Sequence, residues 1–240
     1  SGYRTLDLAN HYYNLTLIRY AHPDFGSYLK LSGEYRLYDY YHEYQPQIKK
    51  VIGDFNQTSV WDFAGLEKSV TVALLDDGVE YHEDLPEERL LSGFNSCDSS
   101  IWLTWPDSNG SHGMACAGIL AASHTTDSTE GLQTSSGIIS MNPHINILPI
   151  RIYCTDIDDA PSVFEGWASD IAYAFDWGRL NQSELFSCSW GWPDPDEHNS
   201  DILNEALSNA YILGRNGKGC PIFFAAGNYR VLFGYKVQYP

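Results

Sequence analysis

Residues 70–78 read VTVALLDDG, a nearly unbroken apolar run that stops at two aspartates and a glycine. A strand covered on one face alternates polar and apolar side chains, whereas one covered on both faces stays apolar throughout. The run therefore predicts a buried parallel strand with Asp76 and Asp77 at its carboxyl end. Outward from it the pattern repeats. His112 to Ala122 (HGMACAGILAA) reads as a small-residue helix, and Ile145 to Tyr153 as a second strand. Val163, Trp167, Ile171, Ala174 and Phe175 fall at helical spacing between 163 and 176. Leu185 to Trp190 is a third strand stopped by Gly191, and Pro221 to Ala226 a fourth, closed by Gly227 and Asn228. Between them, Asn199 to Leu213 is amphipathic, with Asn199 or Ser200 as N-cap and Gly214 near its end. Strand and helix alternating from about residue 69 to 228 predict an α/β fold, a mainly parallel sheet with helices on both faces.

Upstream the pattern differs. Leu6, Leu8, Ala9, Tyr12 and Tyr13 have roughly helical spacing, and a β-prone segment covers 15–20 before Ala21 to Phe25 breaks it. Residues 26–60 are Tyr-rich without a period and read as a connecting or wrapping segment. The main domain is expected over 61–240.

Composition narrows the function. The 240 residues are 43% hydrophobic and 14% aromatic, enough to fill a core in one large domain or two small ones. A net charge of −17 repels phosphate backbones and anionic lipid, which argues against nucleic-acid binding. No apolar stretch approaches the roughly 18–20 residues of a membrane span. The five cysteines show no CxxC pair and no metal-ligand spacing, and an odd number leaves at least one unpaired within the chain. Cys116 and Cys188, in apolar or small-residue runs, read as buried inert thiols. Four Asn-x-Ser/Thr sequons begin at Asn14, Asn56, Asn109 and Asn181 and suit a secreted glycoprotein, although chance supplies about half of them.

In open parallel sheets, chemistry collects beyond the carboxyl ends of the strands. Asp76 and Asn228 stand at two such ends, and His112 opens a helix. A carboxylate there can hold an imidazole in one tautomer, and the imidazole can take a proton from a hydroxyl nucleophile. An Asn amide can donate to a developing oxyanion. Each piece alone has a plainer reading: a turn, a helix start, a strand terminus. All three in this order and strand context are much harder to obtain by accident.

With these motifs the sequence resembles the subtilisin-like serine proteases, with kexin/furin-type features. The matching residues are VALLDDGVEYHEDL at 72–85, SHGMACAGILAA at 111–122, SCSWG at 187–191 and FFAAGN at 223–228. The resemblance implies a serine endopeptidase acting through an acyl-enzyme on polypeptide substrates. Asp76 would orient, His112 would act as general base and acid, and Asn228 would form the oxyanion hole. Ser189, Trp190 and Gly191 would line the cleft and pair with an extended peptide as an added strand. Two departures stand out. Met114 replaces the Thr of the family's His-Gly-Thr, and the Gly-Thr-Ser motif that carries the nucleophile is absent up to Pro240. Thr134 to Gly137 mimics that motif only at the wrong place in the order. The chain is therefore expected to be a piece of a longer protease, inactive by itself and completed by a C-terminal part. A non-catalytic pseudoprotease that binds peptides or a partner is the alternative.

The same resemblance implies further features. Residues 1–25 are similar to the tail of the inhibitory prodomain of bacterial members, so the enzyme's own prodomain is a candidate partner. Asp77 and Asp194 occupy positions where kexin-like acids face basic substrate side chains. With 31 acidic residues in the chain, broad specificity remains the competing expectation. Asp84 matches the family's calcium-ligand aspartate, making structural Ca²⁺ a candidate cofactor through hard oxygen ligands. A secreted or extracytoplasmic protein follows.

Overall fold

The computed structural model describes residues 45, 69–101, 112–124, 137–153, 168–191 and 200–225. The chain divides into two compact units, Ser1–Ser32 and Gly33–Pro240, and every described residue belongs to the second. The expected prodomain tail and, apart from Gln45, the wrapping segment lie outside the described residues.

Five strands form one parallel sheet among the described residues: β1 (Val70–Asp76), β2 (Phe94–Asn95), β3 (Ile145–Arg151), β4 (Leu185–Cys188) and β5 (Ile222–Phe224), in the order β2-β3-β1-β4-β5. The apolar run of 70–76 is the central strand, as its composition requires. Its side chains divide by parity. Val72 and Leu74 pack with Ala117 and Ala121 of helix α1 (His112–Ala121). Ala73 and Leu75 enter the opposite core, with Ile171 and Phe175 of α2 (Ala168–Leu180) and Leu203, Ala206 and Ala210 of α3 (Asp201–Gly217). Both faces are covered, so the α/β expectation holds.

Local chemistry sets the element limits. The sequence pattern places the end of the second helix at Asp176, but α2 runs on to Leu180. Gly178 permits this extension, because a Cβ there would lie 2.7 Å from a ring carbon of Phe186 and 3.0 Å from Ile150. Regular geometry in α3 ends at Leu213: Arg215 and Asn216 turn left-handed, with φ of 52° and 58°. Gly214 is needed there because a side chain would strike Cys220. Pro149 sits inside β3, where a missing N–H normally breaks a ladder. Ile147 and Arg151, two residues to either side, bond Leu91 and Ser96 on the β2 side. Pro149 shares that side, where β2 is only two residues long, so the lost donor leaves the pairing with β1 intact.

Of the thiols, Cys188 is buried and free as expected, but Cys116 is only half-buried. Cys97 is disulfide-bonded. Among the described residues, no helix is long and apolar enough to cross a membrane.

Candidate active site

Strand β1 ends at Asp76, whose side chain is only 1% exposed. Asp76 Oδ1 lies 2.7 Å from His112 Nδ1, the first residue of α1. The same oxygen accepts the Asp77 N–H at 2.9 Å, which fixes its direction. With Nδ1–H given to the carboxylate, the neutral ring carries its lone pair on Nε2. The imidazole is 56% exposed, so a substrate or nucleophile can reach that nitrogen.

Helix α1 is drawn onto the strand end by the next aspartate. Asp77 Oδ2 accepts the backbone N–H of His112 at 3.1 Å, and Oδ1 accepts that of Gly113 at 2.7 Å. These are two of the donors that a helix start leaves without intrahelical partners. Gly113 has no alternative residue: a Cβ would collide with the Gly78 carbonyl and sit 2.8 Å from Asp77 Oδ1. Gly78 itself turns the chain with a φ of 128°.

The electrostatics follow from burial and pairing. The hydrogen bond to Asp76, with a smaller one to Cys116, outweighs desolvation and pushes the His112 pKa up to about 10. Cys116 stands one turn along α1, with Sγ 4.0 Å from Nδ1. Burial pushes the Asp77 carboxyl up; the Gly113 N–H pulls it down, the Asp76 charge raises it further and the His112 N–H opposes both. Asp76 Oδ2 is buried and has no hydrogen-bond partner among the described residues.

The expected cleft residues Ser189, Trp190 and Gly191 follow β4, which pairs with β1 up to Leu75 and Cys188. They therefore leave the sheet beside Asp76. Trp190 is held by its indole N–H on the Leu75 carbonyl at 2.9 Å and by an edge-to-face contact with Phe224. Among the described residues, a Cβ on Gly191 would meet nothing within 4 Å. Asn228 and Asp194 lie outside the described residues. The structure thus brings Asp76, Asp77, His112 and the 189–191 segment to one end of the sheet.

Asp84 lies away from this centre. Its carboxylate accepts the N–H of Ile138 at 3.1 Å and presses on Gly137, where a Cβ would come within 2.7 Å. Gln45 pairs with both the N–H and the C=O of Ile139, at 2.8 and 2.9 Å. Oxygen donors from two distant parts of the chain thus gather on residues 137–139. One carboxylate with amide and main-chain oxygens suits a hard cation such as Ca²⁺. Among the described residues, Asp76, His112 and Cys116 also present donor atoms within 4.8 Å of one another, but Nδ1 is already spent on Asp76.

Sequence reasoning missed three of these roles. The i, i+4 spacing of His112 and Cys116 on a helix would have placed them on one face. The two hydrogen bonds that Asp77 accepts and the pairing of Gln45 leave no trace in spacing.

Comparison with known proteins shows the family. The subtilase family model, peptidase S8, matches residues 67–240. The dibasic-processing endoprotease of Schizosaccharomyces pombe is 31% identical over 181 residues, 73% of this chain and 23% of that protein. A calcium-dependent protease of Trichormus variabilis is 30% identical over 170 residues, 65% of this chain and 23% of that protein. Kexin of Saccharomyces cerevisiae is 29% identical over 183 residues, 73% of this chain and 20% of that protein. The chain spans less than a quarter of the length of these relatives.

Proposed function

The chain belongs to the subtilase family of serine proteases, and from that premise we propose that it carries the base and orienting acid of a serine endopeptidase. The observation that carries this reading is the 2.7 Å contact between buried Asp76 and exposed His112 at the carboxyl end of the central strand. Asp76 holds the ring with Nε2 outward. His112 takes the proton of a serine hydroxyl as it attacks the peptide carbonyl, then returns it to the leaving amine. The serine is supplied by sequence outside residues 1–240, and Asn228 donates to the oxyanion. Residues 1–240 alone do not cleave peptides.

The substrate is an extended polypeptide that pairs with the main chain of Ser189, Trp190 and Gly191. Basic side chains, where preferred, are met by Asp194, because the Asp77 carboxylate is engaged by α1. The enzyme's own prodomain, whose tail residues 1–25 resemble, is a further partner. A structural Ca²⁺ is held by Asp84 and the oxygens around residues 137–139. The protein works outside the cytoplasm, a placement supported by the disulfide at Cys97, since such bonds persist in oxidising compartments.

The test is cleavage of a peptide library by the full-length protein and its His112→Ala variant. Hydrolysis lost in the variant supports the reading. Peptide binding without hydrolysis in the full-length protein would make the chain a pseudoprotease instead.

A further inference from the structure

We propose that Asp77 is a positioning residue for His112, setting its main chain while Asp76 sets its ring, and that its carboxylate does not receive a basic substrate side chain. This rests on the protease reading above and extends it to a residue whose sequence position suggested a role in specificity.

One histidine is gripped twice by consecutive residues. Asp76 takes the ring at Nδ1, and Asp77 takes the N–H groups of His112 and Gly113. The partners are 35 and 36 residues apart in sequence, so the bonds join two elements and do not merely finish a local turn. A helix start fixed only by its own neighbours could slide or tilt over the strand end. Two charge-assisted bonds accepted just past the end of the buried central strand remove that freedom, and the ring moves with the backbone that bears it. Gly113, pressed on Gly78 and Asp77, shows how close the approach is.

The same geometry argues against a substrate role. Asp77 is 4% exposed, and each oxygen already has a backbone donor. Turning toward a lysine or arginine would break both bonds and leave two helix N–H groups unsatisfied. The arrangement also costs stability. Burial raises the acid above its unfolded value, so the folded state loses stability as pH rises from the unfolded value through the raised one. A buried charge retained at such a cost, beside the reacting base, fits a positional task.

The experiment uses the full-length protein with Asp77→Ala, which removes both acceptors, and Asp77→Asn, which keeps one. Two readouts are taken: kcat and KM on peptide pairs differing only in a basic or neutral residue before the cleaved bond, and the proton NMR signal of His112 Nδ1–H. We expect Asp77→Ala to lower kcat roughly tenfold or more on both peptides. KM should stay within about twofold, and the Nδ1 proton signal should shift. Asp77→Asn should recover part of the rate. A KM increase confined to the basic peptides, or an unchanged kcat with an unmoved proton signal, would overturn the proposal. Should Asp77→Ala fail to fold, Asp77→Asn carries both readouts, and a parental rate with an unmoved signal overturns the proposal. If the parent protein cleaves nothing, the protease reading fails and the proton signal alone decides the positioning claim.

Discussion

An imidazole standing more than half in solvent ordinarily loses its proton near pH 6.5. His112 keeps its proton to about 10, because the buried Asp76 carboxylate, 2.7 Å away, favours the charged ring. A base must be neutral to act, so cleavage by the full-length enzyme should climb with pH into the alkaline range. The linkage has the matching sign. Stability from the Asp76 pair is complete below the unfolded value of 6.5 and is lost as pH rises through about 10. Asp76→Asn should return the ring pKa toward 6.5, read by NMR titration, and lower kcat by about 10⁴-fold through the wrong tautomer. A ring pKa unmoved in that variant would show that something else charges it. Both partners were legible in the sequence, since a strand end and a helix start are visible as breaks in apolar periodicity. The direction of the Asp77 carboxylate was not, because it depends on how two elements 35 residues apart meet in space.

Helix α1 is short and built mostly of small residues, so its place depends on its ends. At its start it meets the Asp77 carboxylate. At its finish Arg89, from a single 3-10 turn at Glu87–Arg89, donates to the Ala121 carbonyl and, at 2.9 Å, to Ser123 Oγ. Negative charge at the N-terminus and positive at the C-terminus both complement the helix dipole. Arg89→Met should therefore destabilise the fold by about 1–3 kcal/mol, measured by denaturant unfolding, by stranding those acceptors. Gly113→Ala should cost a similar amount, about 1–3 kcal/mol, by overpacking against the strand end, and should lower activity as well. Stability equal to the parent in either variant would contradict the close seating of α1. At this scale the apolar strands and two of the helix limits were readable from pattern. Strand β2 was not, since two residues show no period and Phe94 is recognisable by its ring contacts with Tyr173 and Trp177. The extension of α2 past Asp176 escaped for a similar reason, because Gly178 looks like a helix stop until Phe186 is seen beneath it.

Across the described residues, a parallel sheet covered on both faces delivers the carboxyl ends of β1 and β4 to one place, and the proposed chemistry rests on that convergence. The fold class was legible because runs such as VTVALL require two covered faces. The gathering of Gln45 and Asp84 on residues 137–139 was not, since it joins segments whose sequences share no pattern. If Ca²⁺ binds there, adding it at a hundredfold over its Kd should stabilise the fold by about 2.7 kcal/mol. Chelation and Asp84→Ala should each abolish that gain in a thermal melt, and a melt indifferent to calcium would remove the ion from the account. The central claim is that Asp76 and His112 serve a serine nucleophile. It is tested most directly by treating the full-length protein with a fluorophosphonate probe and mapping the label by mass spectrometry. The account expects one serine outside residues 1–240 to be labelled, with labelling lost in His112→Ala. No labelling of the prodomain-free protein, or labelling that survives the loss of His112, would contradict it.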